Sequence, residues 1–71
     1  MEYRVWGRVS HESAEERLVK TYQTLNGATN KADAECEATG LPHYVEQHDP
    51  EFGTSVLVYR ADPPPPEEPA V

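Results

Sequence analysis

The sequence predicts an α+β domain of ββαββ order, an antiparallel-type four-stranded sheet with one helix on one face. Two observations lead to this prediction. Four short segments alternate apolar with polar residues, or are rich in β-branched and aromatic residues, which is typical of strands. Between the second and third segments lies a stretch with apolar residues at helical spacing. The predicted domain covers residues 1–61, since the acidic, proline-rich residues 62–71 have little to bury and are predicted to be disordered.

The first predicted strand, residues 2–10, alternates most clearly and contains the only tryptophan. Its apolar side consists of Tyr3, Val5 and Val9. This phase turns Trp6 outward between Arg4 and Arg8. A tryptophan flanked by arginines on an outer surface is typical of a contact site. We therefore predict that Trp6 anchors a partner, with Arg4, Arg8 and Arg60 at the rim.

The second strand is predicted over residues 16–23, after a polar loop that suits a hairpin. The helix should begin after Thr24, whose hydroxyl can cap an early amide, and should end where Gly40 takes the left-handed position. The residues expected on its buried stripe are Leu25, Ala28, Ala32 and Cys36.

The third and fourth strands are predicted over residues 42–49 and 54–61, joined by a turn at 49–53. One helix covers one face of a sheet, so apolar side chains should remain on the other face. Besides Trp6, the candidates are Val56 with Val58 or Leu57 with Tyr59, together with Val19 or Leu18. Two interpretations stay open. These residues are isolated exposed side chains, or they form a surface that pairs with another protein or a second copy.

The charge of this 71-residue chain is −7, which argues against a simple nucleic-acid binder because such binding depends on neutralising phosphates. The basic residues concentrate in predicted strands, so we expect basic and acidic surfaces to be separated. One cysteine excludes an internal disulfide. The sequence shows no signal peptide and no membrane-spanning run, so we expect a cytoplasmic protein without membrane contact.

The candidate chemical groups indicate no catalysis. His43 and His48 are five positions apart on one strand, so they should point to opposite faces and cannot share a metal; we interpret them as surface polar residues. Cys36 lies between Glu35 and Glu37, which would not activate a thiol. We predict no catalytic residue, no metal, no cofactor and no enzyme activity.

Residues 18–28, which run from the second strand into the helix through an aromatic and a threonine cap, resemble the strand-to-helix junction of the arm-binding domains of phage-type integrases. The chain departs from that family in having two strands after the helix and in its acidity. The same junction is similar to those of small accessory proteins of actinobacterial bacteriophages. This resemblance implies a viral gene product that acts in the host cytoplasm, and implies no specific activity.

These observations favour a small protein-binding or regulatory module that masks or recruits a host protein, or pairs with itself, through the face without the helix. Two alternatives remain. The sheet could bind nucleic acid with Arg4, Arg8 and either Arg17 or Lys20, or the acidic surface could mimic DNA and block a host DNA-binding protein.

Overall fold

The computed structural model describes residues 1–63 and confirms the predicted ββαββ order. Its elements are β1 (Glu2–Arg8), β2 (Glu16–Tyr22), α1 (Leu25–Thr39), β3 (His43–Asp49) and β4 (Thr54–Ala61). All three strand pairs are antiparallel, and the strand order β2-β1-β3-β4 puts β1 and β3 inside. Of the tail predicted at 62–71, all but Asp62 and Pro63 lie outside the described residues.

The helix begins and ends at the predicted caps. The Thr24 hydroxyl accepts a hydrogen bond from the Gly27 amide at 3.2 Å. At the other end Gly40 has φ of +70° and donates its amide to the Cys36 carbonyl at 2.8 Å. These caps satisfy backbone groups that a helix end leaves free. Together they set the direction in which the chain leaves for β3.

The core lies between α1 and one face of the sheet. Its buried apolar residues are Val5, Ala28, Ala32, Cys36, Val45 and Ala61. Two residues predicted to be buried are exposed instead, Val9 and Leu25. Val9 follows the last residue of β1 and donates its amide to the Glu15 carbonyl in the loop, so the alternation of β1 does not reach it. Leu25 opens the first turn of α1, before the part of the helix that packs on the sheet.

His43 is buried, with 1% of its surface exposed, so the interpretation as a surface residue was wrong. Its ring lies where a side chain of Gly7, its partner across the sheet, would stand. A Cβ on Gly7 would come within 2.4 Å of His43 Nε2. The ring is held by its Nδ1–H, which donates to the Leu41 carbonyl at 2.8 Å. His48 faces the opposite side of the sheet, as predicted.

Each outer strand contains one β-bulge. Val19 is the extra residue of β2, and Val58 is the extra residue of β4. Because a bulge shifts the alternation, Leu57 lies on the face away from the helix while Tyr59 packs against the core. The predicted pair Leu57 and Tyr59 is therefore divided between the two faces, while the register places Val56 on the helix side and leaves Val58 without a cross-strand partner.

Candidate protein-binding face

The side of the sheet opposite α1 brings together side chains from all four strands. Besides Glu2, Thr21, His48 and Ser55, the cross-strand register assigns to it Arg4, Trp6, Arg8, Glu16, Leu18, Tyr44, Glu46, Leu57 and Arg60. We call these nine residues the open face. All four residues predicted to contact a partner (Trp6, Arg4, Arg8 and Arg60) are among them.

Trp6 occupies the centre of the open face. In the register it lies directly opposite Leu18 on one side and Tyr44 on the other, and Arg60 follows Tyr44 in the same row. Cross-strand neighbours on one face lie close enough for side-chain contact, so these residues form one apolar row with a charged end. The indole Nε1 of Trp6 is inaccessible to solvent and has no hydrogen-bond partner among residues 1–63.

The three arginines of the open face are each held by a nearby group. The Arg4 guanidinium lies 3.4 Å from the Glu2 carboxylate, and Arg60 Nε donates to Asp62 at 2.9 Å. Arg8 Nε donates to the Ser13 carbonyl at 2.9 Å. These contacts are local in sequence, and they position the guanidinium groups around the apolar row.

The expected separation of basic and acidic surfaces is absent. Glu46 pairs across the strands with Arg4, and Glu16 pairs with Arg8, so acids and bases alternate on the open face. Arg17 pairs with Gly7 and lies on the helix side of the sheet. Lys20 stands over the ring of Tyr22, also on that side, at 5.2 Å. Neither basic residue of β2 joins Arg4 and Arg8, and the nucleic-acid alternative loses the arrangement on which it depended.

Tyr44 is the most perturbed titratable group of the open face. Burial, followed by the hydrogen bond to the Glu16 carboxylate, raises the pKa of the Tyr44 phenol to about 12. The hydroxyl is therefore neutral and a donor at physiological pH. The contact residues predicted from the sequence do not include Tyr44 or Glu46, although their alternation with the buried His43 and Val45 is visible in the sequence of β3.

A shallow depression of about 290 Å³ lies where β1 and β4 end and β2 and β3 begin. Its lining residues are Arg8, Ala14, Glu16, Pro42, His43, Tyr44 and Arg60. Two guanidinium groups stand there with one carboxylate and one phenol. This mixed lining extends the open face at one corner and contains both hydrogen-bond donors and acceptors.

Groups outside the open face show little reactive chemistry. Cys36 is buried in the core, and burial raises the pKa of its thiol, with smaller contributions from Asp62 and Asp33. His48 Nδ1 is 2.9 Å from the Ser55 hydroxyl. Within residues 1–63, no three histidine, cysteine or acidic residues are grouped so that they could hold a metal ion. The same part of the chain has no helix long and apolar enough to cross a membrane.

Comparison of the chain with protein-family models, with curated proteins and with solved structures finds no match.

Proposed function

We propose that this protein is a small non-enzymatic binding module that masks or recruits a protein partner through the open face. The observation that carries the proposal is the row formed by Leu18, Trp6 and Tyr44, at the centre of the one sheet face that no helix covers. Tryptophan, tyrosine and arginine are the residue types most enriched at the energetic centres of protein interfaces. The accessory role in a bacteriophage that the sequence resemblance implies, with a host cytoplasmic protein as the partner, belongs to the same proposal.

The surroundings of the row support binding to a protein. An interface centre is typically apolar and ringed by polar groups that exclude water. The open face has this arrangement, because Arg60 ends the apolar row and Arg4 and Glu46 lie in the neighbouring row, together with Leu57. Alternating arginines and glutamates at the rim set the register of a complementary partner rather than attracting any one sign of charge.

The indole Nε1 of Trp6 is a buried donor that has no acceptor among residues 1–63. A buried donor without an acceptor is destabilising by about 1–3 kcal/mol in general. Because Nε1 is inaccessible to solvent, a partner carbonyl would reach it only if neighbouring side chains of the open face moved on binding. Binding with that rearrangement would gain both apolar burial and one hydrogen bond.

The mixed charge of the open face disfavours nucleic acid as the ligand. Phosphate binding requires a run of unpaired cations, whereas Glu16 and Glu46 stand directly across from the arginines. The whole chain adds a net charge of −7. Binding to duplex DNA at physiological salt should be no tighter than the roughly 10⁻⁴–10⁻⁶ M of nonspecific contacts.

The test is affinity capture from the native cell with the wild-type chain, followed by binding measurements with the captured protein after purification. Trp6→Ala should weaken that complex by 2 kcal/mol or more, about 30-fold, as expected of an interface hot spot. A matched control is Leu25→Ala, which removes an exposed leucine from the helix side and should leave the affinity unchanged. Circular dichroism confirms that both variants fold.

Two results would contradict the proposal. In the first, the captured protein binds the Trp6→Ala and wild-type chains equally. In the second, the fluorescence of Trp6, the only tryptophan, changes on addition of duplex DNA at submicromolar concentration and recovers as salt is raised. The second result would establish the nucleic-acid alternative.

A further inference from the structure

Within residues 1–63, the outer side of β4 is a free strand edge. β4 is the last strand of the sheet, so the backbone groups on its outer side have no partner within the sheet. The middle of the strand is apolar and exposed, with 60% of the surface of Val56 and 56% of that of Leu57 accessible, and Val58 is exposed beside them. Such an edge is a template on which another strand can add.

β4 has few of the features that usually prevent another strand from pairing with the edge of a sheet. It contains no proline, and its only charged residue is Arg60, next to its last residue. The bulge at Val58 is the one irregularity. The other outer strand, β2, has charged side chains at Glu16, Arg17 and Lys20. The chain therefore protects one edge with charge and leaves the other apolar.

The pattern of β4 is complementary to itself in the antiparallel direction. If two copies align antiparallel about Leu57 and Val58, the apolar middle of one strand lies against that of the other. Arg60 then lies opposite the Thr54–Ser55 end of the second copy, where no charge opposes it. A parallel pairing in register would place the two Arg60 side chains next to each other, which is destabilising.

We propose that two copies of this chain associate by antiparallel pairing of β4 with β4, forming one continuous eight-stranded sheet from the two four-stranded sheets. The two-fold axis stands perpendicular to the sheet, so both helices lie on one side and the two open faces form a single surface on the other. This inference concerns the strand edge and does not depend on the partner proposed for the open face.

The dimer should be weak and should strengthen with salt. One strand pair buries less than the 1,200–2,000 Å² of stable interfaces, so we expect a Kd on the order of 10–100 µM. Each copy carries a net charge of −7, and their repulsion is screened as ionic strength rises. Raising salt from about 0.05 to 0.5 M should therefore tighten the dimer, by about threefold to tenfold.

The test is sedimentation equilibrium of the full chain over a range from about 1 µM to 1 mM, which brackets the expected Kd. The mass should rise from 8.0 kDa toward about 16 kDa, twice the monomer. Leu57→Lys and Val56→Lys should each weaken the dimer at least tenfold, because each places a hydrated cation in the apolar middle of the pairing edge, opposite Val58 or Tyr59 of the second copy. Leu18→Lys is the matched control, since Leu18 is on the open face with a similar exposed fraction, 48%, but belongs to β2.

The pair of β4 variants separates edge pairing from contact between open faces. Val56 lies on the helix side of β4 and Leu57 on the open face, so only an edge interface is disrupted by both lysines. A dimer lost with Leu57→Lys and Leu18→Lys but kept with Val56→Lys would overturn the inference. A mass that stays at 8.0 kDa up to about 1 mM would also overturn it. Trp6→Ala should leave the dimer unchanged, so failure here and failure of the proposed partner site are distinguishable.

Discussion

The two outer strands of the sheet have equivalent positions and different outer surfaces. β2 and β4 have seven and eight residues, each pairs antiparallel with an inner strand, and each contains one bulge. β2 has three charged residues within the strand, and β4 has one. Each strand contributes a tyrosine, Tyr22 and Tyr59, that packs against the same core.

The difference shows that the core does not determine the chemistry of the edges. The core requires only part of each outer strand, since Val19 and Tyr22 of β2 and Tyr59 and Ala61 of β4 pack with it. Other positions differ in chemistry on either side of the sheet, with the charged Lys20 on the helix side of β2 and the apolar Leu57 on the open face of β4. The charged edge resists the addition of strands and the apolar edge permits it, so a single copy can extend its sheet in only one direction.

The largest effect is expected when the edge of β2 is made apolar, like that of β4. Glu16→Val with Lys20→Val removes one acid and one base, so the net charge stays at −7. With two permissive edges, association no longer stops at a dimer, and open-ended assembly follows. Light scattering at about 100 µM, above the expected Kd, should rise severalfold above that of the wild-type chain. Adding Leu57→Lys to this double variant should return the scattering to the level of small oligomers, and persistence of large particles would show that assembly does not use β4.

A second substitution affects both edges equally, because it acts on the inner strands that they share. Gly7→Ala places a Cβ within 2.4 Å of the buried His43 ring, and overpacking of this kind destabilises by about 1–3 kcal/mol. Urea unfolding should show the loss, while the dimer Kd measured per folded chain stays the same. His43→Ala in the Gly7→Ala background should cost less than the two single losses combined, as a double-mutant cycle would report. If the losses in the free energy of unfolding were additive, the packing of the His43 ring would not depend on the missing side chain of Gly7.

The smallest predicted effect comes from removing one hydrogen bond that ties β4 to the helix. The Tyr59 hydroxyl donates to the Asp33 carboxylate at 2.6 Å and ties β4 to α1. That hydrogen bond, with burial second, raises the pKa of the Tyr59 phenol. The hydrogen bond favours the protonated phenol. Its contribution to the free energy of folding is therefore complete below the ordinary tyrosine pKa of about 10, and it is lost as the pH rises through the pKa of the folded state.

Tyr59→Phe should therefore lower the Tm by about 1–3 °C at pH 7. The difference in Tm between the variant and the wild type should disappear above about pH 10. Thermal unfolding followed by circular dichroism between those pH values measures both quantities. Tyr44→Phe is the matched control, since Tyr44 lies on the inner strand β3 and its phenol, with a pKa of about 12, stays protonated until the pH approaches that value. If the difference in Tm between Tyr59→Phe and the wild type increased with pH, the result would contradict the assigned hydrogen bond.

The elements of the fold could be predicted from local features of the sequence. Alternation located the strands, and the positions of Thr24 and Gly40 located both ends of α1, because caps depend on residues within one turn. The outward position of Trp6 followed from the same alternation, since no bulge interrupts β1 against β3. Local pattern was sufficient wherever the backbone stayed regular.

The remaining features depend on residues far apart in the chain. The burial of His43 requires a partner without a side chain, and Gly7 provides it only because β3 lies beside β1. The bulges at Val19 and Val58 change which side chains face outward, and neither residue type identifies a bulge. Glu16 and Glu46 lie across from Arg8 and Arg4 because β2 and β3 both flank β1. Alternation within a single strand does not specify this strand order.

The contact between Gly7 and His43 also limits the order in which this sequence can change. A larger residue at position 7 meets the histidine ring at once, whereas a smaller residue at position 43 leaves only a cavity and a carbonyl of Leu41 without its donor. Stepwise substitution therefore has an easier direction, in which position 43 shrinks before position 7 grows. Suppose that two related sequences have the large side chain at position 7 in one and at position 43 in the other. The intermediate between them would then have small residues at both positions, and not large residues at both.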